Sequence, residues 1–257
     1  QVMVKGQYPP LYNREVAPED WYQAYIETYI ERDVGKLINP GNKHTFKKFI
    51  SLCALRSGQL LALSALAQEC EVSIPTISSW LSILESSFIV YRMEPLYSNL
   101  GKRLIKTPKL FFLDTGLLCH LLRIHAKKDL LLSPYKAHVT ETFAINELLK
   151  ERLNQGRPPE LSFYRDKDGL EVDAIAQWDV TFAIEVKSST SPNTAFQKNL
   201  KKFVTLDKKT KYETKVFYLG DRLFTIDGTD YVPWQKWTKH KNESDDKKPD
   251  ERAGHEK

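Results

Sequence analysis

The chain of 257 residues carries 38 Lys and Arg against 33 Asp and Glu, a formal net charge of +5, with 41% hydrophobic and 11% aromatic residues. That length predicts two domains with sizeable cores, and the mild basicity permits nucleic acid without requiring it. No run of about eighteen apolar residues and no signal-peptide pattern occurs, so no membrane partner is expected and the expected location is cytoplasmic.

Cys53, Cys70 and Cys119 lie far apart in apolar settings, which predicts buried thiols rather than a disulfide framework. The chain opens at Gln1 and enters structure almost at once, as a piece of a longer protein would. Residues 1–19, with Pro9 and Pro10, read as a loop-like leader. Over residues 20–37, Trp21, Tyr25, Thr28, Tyr29 and Arg32 recur at helical spacing, with Asp20 as the expected cap. Pro40 and Gly41 end that helix. A second, over 44–57, buries Phe46, Phe49, Ile50, Cys53 and Ala54.

Residues 63–95 carry the clearest local pattern. Ser64 is the expected cap of a short helix, a tight turn follows at 71–73, and a second helix runs over 74–85 with Pro75 in its first turn. This is helix-turn-helix spacing, and SSFIVYRMEPL after it reads as the strand that begins a wing. Duplex DNA would meet Thr76, Ser78, Ser79 and Ser82, with Arg92, Lys102, Arg103, Lys106 and Lys109 supplying phosphate contacts. The helix PTISSWLSILE has no Lys or Arg, so packing or protein contact is the competing use of the module.

KLFFLDTGLLCHLL (109–122) predicts a buried strand and then a helix capped by Asp114. His120 and His125 have no matched ligand pair. Residues 125–136 read as a connection. HVTETFAINELLKERL (138–153) is a strongly amphipathic helix with Glu141 in its first turn. Next comes FYRDKDGLEVDAIAQWDVTFAIEVKSS (163–189), two alternating runs around a turn at Trp178 and Asp179, which is a hairpin pattern. A helix at 194–206, strands at 215–219 and 222–226, and an edge segment at 231–237 follow. From Lys239 the chain is charged and devoid of large apolar residues, the composition of a disordered tail.

The fold class is thus α/β: leader and linking helices (1–57), a winged-helix domain with the following strand and helix (58–125), a mixed sheet flanked by helices (126–237) and a tail (238–257).

The chemistry gathers on the hairpin. Glu185 and Lys187 are two apart on a strand and share a face. Asp173 lies beside them if the strands pair. Two carboxylates and a lysine at one place suit a divalent cation and an activated water, the equipment for cutting a phosphodiester. Asp173 and Glu185 are the expected ligands of Mg2+ or Mn2+, with the Val186 carbonyl available and Glu141 completing the acidic set. Lys187 would orient the water or stabilise charge on phosphorus. A surface ion pair between Glu185 and Lys187 is the bland alternative.

The order Glu141, Asp173, Glu185-Val186-Lys187 is similar to the PD-(D/E)xK restriction-endonuclease-like fold, which includes Holliday junction resolvases. More widely, YIETYIERDV (25–34), LSALAQECEVSIPTISSWLSILESSFIVYRMEPL (63–96), KLFFLDTGL, the Glu141 helix and GLEVDAIA…AIEVKSS together resemble the C-terminal half, a domain of unknown function, of bacterial and archaeal AAA+-type ATPases. The resemblance implies a winged helix followed by a nuclease-like domain, in a protein that hydrolyses ATP. No G-x-x-x-x-G-K-[ST] occurs in this chain, and Gly101-Lys102 lacks the upstream glycine, so ATP would bind only through an ATPase module absent here.

Two functions are therefore expected to compete. One is a metal-dependent nuclease or DNA-processing part of an ATPase. The other is a non-catalytic module that binds nucleic acid or protein and regulates the ATPase. Homo-oligomerisation through the helix at 21–29 or the uncharged face after Ile74 is a third use.

Overall fold

The computed structural model describes residues 1–29, 43–96 and 105–237. The chain is α/β, with an antiparallel three-stranded sheet near its start and a mixed six-stranded sheet after it. Among the described residues no helix is long and apolar enough to cross a membrane.

The expected leader is helical instead of loop-like: α1 (Val2–Lys5) and α2 (Pro10–Asn13) precede α3 (Pro18–Thr28). Pro10 and Pro18 each open a helix, where the missing N–H is not needed. The cap of α3 is Ala17, and Asp20 sits inside the first turn. The rest of the expected 20–37 helix lies outside the described residues. Then come α4 (Lys43–Ala54), β1 (Gln59–Leu60), α5 (Leu63–Cys70), α6 (Ile74–Ser86), β2 (Val90–Met93) and β3 (Lys109–Phe112). Ser64 is not the cap of α5; Ala62 holds that place without a side-chain bond. Glu71 turns left-handed at φ 57° to end α5, and Ser73 caps α6 through the Thr76 N–H. β3 is the middle strand of the order β1-β3-β2.

α7 (Thr115–Leu121) starts on Asp114, as its sequence predicts. Asp114 accepts from the Leu117 N–H, the Gln7 N–H and the Tyr22 hydroxyl, tying the cap to the first residues of the chain. Where residues 125–136 read as a connection, a short helix forms, α8 (Lys127–Leu132). Asp129 accepts from the Ala126 N–H at its start.

α9 (Lys136–Asn154) leads into β4 (Leu161–Arg165), β5 (Glu171–Gln177) and β6 (Thr181–Lys187). A 3-10 turn (Thr194–Gln197) and α10 (Lys198–Leu206) follow, then β7 (Tyr212–Tyr218), β8 (Phe224–Ile226) and β9 (Thr229–Pro233). The sheet order is β4-β5-β6-β7-β9-β8, so the final strand is not at the edge as expected; it pairs parallel to β7, and β8 takes the edge.

One face of this sheet (Ala174, Ala176, Ile184, Val186, Phe217) packs on α9 within a core that continues into the three-stranded sheet and the helices before it. The other face (Tyr164, Val172, Ile175, Ala183, Val216) packs on Leu200 and Phe203 of α10. Each buried Val, Leu, Ile or Phe side chain among them contributes about 1.5–3 kcal/mol. The edge strand β4 is covered by residues 94–96: Leu96 N–H donates to the Phe163 carbonyl at 2.7 Å. Cys53, Cys70 and Cys119 are all buried and free. The expected tail lies outside the described residues.

Candidate functional site

β5 and β6 pair antiparallel, with Ala174 opposite Ile184 as the last rung. Continuing that register places Asp173 opposite Glu185. The pairing of β4 with β5 slips here: Ser162 faces Ile175, but Tyr164 faces Val172, so Phe163 stands against both Asp173 and Ala174. An extra residue of this kind bends a strand and re-aims its side chains, and bulges recur beside active sites. Instead of continuing the ladder, the Asp173 carboxylate reaches across and accepts the Val186 N–H through Oδ2 at 2.8 Å.

Glu185 is 4% exposed. Its Oε1 accepts from the Lys187 ammonium, while its Oε2 is buried with no hydrogen-bond partner. A buried carboxylate oxygen without a donor carries an unmet desolvation cost. Burial, and next the Asp173 charge, push the Glu185 carboxyl up to about 8, against the pull of Lys187. Burial opposes the charge on Lys187, but Asp173 and Glu185 outweigh it and hold the ammonium above the usual lysine value. The pair is therefore not the surface ion pair that E-x-K alone permits; it is buried at the carboxylate and faces a second acid.

Glu141 arrives from the first turns of α9 and meets a residue that sequence reasoning placed elsewhere. Lys109, expected to contact phosphate, is 2% exposed at the start of β3. Its Nζ donates to Glu141 Oε1 at 2.8 Å and pairs with Glu171 Oε1 at 2.7 Å. Arg165 holds the other oxygen of Glu171 at 3.2 Å. Burial opposes the Lys109 charge, yet Glu141, Asp173 and Glu171 together hold the ammonium protonated, well above the ordinary lysine value. Burial lifts Glu141 to about 7 in spite of Lys109, with Asp173 adding to the rise. The Lys109 ammonium lies between two carboxylates. Removing one partner of a buried pair like this typically costs about 3–5 kcal/mol.

Lys109 and Glu171 were missed as site residues. Glu171 was legible, because E-V-D puts two acids two apart on a strand. A lysine heading the buried run KLFF was the signal for Lys109, since a buried lysine needs an anion. His138 stands one turn before Glu141 on α9 with its Nδ1 buried and unbonded, and burial, followed by Lys109, lowers its pKa.

Apart from Lys109, the described residues expected to face DNA are not part of this cluster. Ser79 is exposed and Thr76 half-buried on α6, with the Thr76 hydroxyl 2.8 Å from that of Ser73. Arg92 Nε is bound to Glu85 at 2.6 Å. Lys102 and Arg103 lie outside the described residues. A cavity of about 260 Å3 opens elsewhere, beside Trp178, Phe182, Lys215, Phe217 and Trp237, and contains none of the cluster. Among the described residues, no three His, Cys, Asp or Glu side chains form a ready-made metal shell. Two ammonium groups, Lys109 and Lys187, stand between the carboxylates.

Residues 1–128 match a family model described as Domain of unknown function (DUF8612), and residues 136–237 match one described as Domain of unknown function (DUF4143). The chain is 26% identical over 196 residues to the uncharacterized protein Rv2008c of Mycobacterium tuberculosis. It has the same identity, over the same length, to the uncharacterized protein Mb2031c of Mycobacterium bovis. In each case the match covers 75% of this chain and 44% of the relative, so the chain spans less than half the length of the curated relatives it matches. No solved structure matches.

Proposed function

We propose that this chain is the DNA-processing part of an AAA+-type ATPase, and that Asp173, Glu185 and Lys187 form a phosphodiester-hydrolysing site served by Mg2+ or Mn2+. The observation that carries this reading is the buried, donorless Oε2 of Glu185 beside an aspartate and a lysine. Hard carboxylate oxygens without hydrogen-bond donors are what such ions take up. Asp173 and Glu185 would hold the ion, and the carbonyl of Val186, the residue after Glu185, is available beside them. When bound, the ion supplies Lewis-acid polarisation and lowers the pKa of a water.

The chain's own groups account for the rest. The Val186 N–H fixes the Asp173 carboxylate so that its other oxygen is free of that bond. Lys187, 30% exposed at its side chain, reaches from buried Glu185 toward solvent, where a phosphate would enter. Its ammonium stabilises charge building on the phosphoryl oxygens. The strand order β1-β3-β2 with α5 and α6 ahead of β2 supports the winged-helix reading, a module that would bring duplex DNA to the molecule. In the relatives, the sequence beyond the matched stretch leaves room for an ATPase module.

Incubation of the purified chain with linear, branched and single-stranded DNA and either metal tests the proposal. Cleavage that disappears in Asp173→Ala and Lys187→Ala, with the fold retained, is the expected result. No cleavage of any substrate with either metal overturns it.

The lysines between the carboxylates favour a second reading, a non-catalytic module that binds nucleic acid or protein and regulates the ATPase. Binding would then survive Asp173→Ala. Steep weakening with salt would mark nucleic acid as the ligand, and insensitivity to salt a protein.

A further inference from the structure

Glu141 and Glu171 share the Lys109 ammonium, and Asp173 and Glu185 act on this cluster through their charges. Four carboxylates are the number that sites clamping both sides of a scissile phosphate with two ions can use, although no three of these form a metal shell as they stand. The structure divides them unequally. Glu141 and Glu171 are both engaged by one ammonium, that of Lys109, at 2.8 and 2.7 Å. Asp173 and Glu185 have no bond from it, and Glu185 keeps an oxygen without a donor. Lys109 is carried by β3, the central strand of the other sheet, so its backbone is fixed by pairing on both sides. Phe163 lies beneath the ammonium, its ring centroid 5.4 Å away.

We propose that Lys109 is a built-in cation that occupies the second metal position, so that the site binds one divalent ion, through Asp173 and Glu185, and Glu141 is not a ligand while Lys109 is in place. This rests on the metal-site reading above. An ammonium suits the position in charge but not in coordination: it gives one positive charge at hydrogen-bond length, whereas Mg2+ requires oxygen atoms at about 2.0–2.1 Å in an octahedron. A second divalent ion would therefore have to displace a buried lysine that both carboxylates already engage at 2.8 and 2.7 Å. Lys109 is thus a positioning residue: it orients Glu141 and Glu171 and limits how much metal charge the cluster takes. It also makes the three-stranded sheet part of the site, because β3 delivers it.

The test is calorimetric titration of the whole chain with Mn2+ alone, with no nucleic acid present. Wild type is expected to bind one ion. Asp173→Asn should weaken that binding by about 10–100-fold or more, whereas Glu141→Gln should change it by less than about 3-fold. Lys109→Met, checked for folding by circular dichroism, should bind two ions, and Lys109→Met with Glu141→Gln should return to one. Two ions in wild type, or a loss in Glu141→Gln as large as in Asp173→Asn, overturns the assignment of Lys109 while leaving the metal site standing. Mn2+ binding that is absent, or indifferent to Asp173→Asn, overturns the metal-site reading and this inference with it. Should Lys109→Met not fold, the comparison of Glu141→Gln with Asp173→Asn in the native background still decides.

Discussion

The Val186 N–H donates to Asp173 Oδ2 at 2.8 Å, one residue beyond the last β5–β6 rung on β5 and two beyond it on β6. A side chain thus takes the place of the next backbone acceptor. The bulge at Asp173 and Ala174 makes this possible, and the same substitution of partners sets Asp173 beside Glu185.

Asp173→Asn keeps an oxygen that can accept from Val186 but removes the charge. Metal-dependent cleavage should fall by about 10²-fold or more, with the melting temperature little changed. Parallel kinetics and thermal unfolding check this. A fall in activity matched by unfolding would instead mark Asp173 as a structural residue.

Glu185 should make the metal-free protein sensitive to alkali. Its carboxyl is raised from 4.5 to about 8. A raised carboxyl contributes its full stability below the unfolded value and loses it as pH rises through the folded value. Melting temperature without metal should therefore fall between about pH 4.5 and pH 8 and level off above that, and Glu185→Gln should flatten that fall. Thermal scans across pH in a chelating buffer measure it, and a profile unchanged by Glu185→Gln would contradict it.

Asp114 is the joint between the start of the chain and α7. Asp114→Ala leaves the Leu117 and Gln7 amides without their acceptor and the Tyr22 hydroxyl with the Lys5 carbonyl alone, at an expected cost of about 2–4 kcal/mol. Gly116→Ala should also destabilise, because an added Cβ would lie 2.2 Å from the Tyr22 hydroxyl and 2.6 Å from the Gly6 backbone. Denaturant unfolding should place both variants well below wild type.

If α6 and β2 face DNA, Glu85 restrains Arg92 by holding its guanidinium at 2.6 Å. Glu85→Ala should then tighten DNA binding and steepen its salt dependence by about one counterion. Binding titrations at several salt concentrations report both. An unchanged slope removes Arg92 from the interface.

Much of the frame was legible in the chain. Ser73, Pro75 and Asp114 announce their helices through capping chemistry that needs only neighbours. The hairpin of β5 and β6 follows from alternation, and with it the meeting of Asp173, Glu185 and Lys187. What escaped depends on distant partners. α1 and α2 are four residues each, too short to be stable alone; α1 is held by packing on α7, where Cys119 lies against the Met3 carbonyl. The place of β9 inside the sheet is a matter of pairing order, which alternation does not encode. Lys109 read as a phosphate-binding lysine because nothing adjacent reveals that α9 and β5 bring Glu141 and Glu171 to it.

The proposed function stands on Asp173 and Glu185 holding a divalent ion. A crystal soaked in Mn2+ and measured at the manganese absorption edge tests it directly. One anomalous peak within coordinating distance of Asp173 and of the Glu185 Oε2 is the predicted result. A fully soaked crystal with no peak at these two carboxylates would contradict the account.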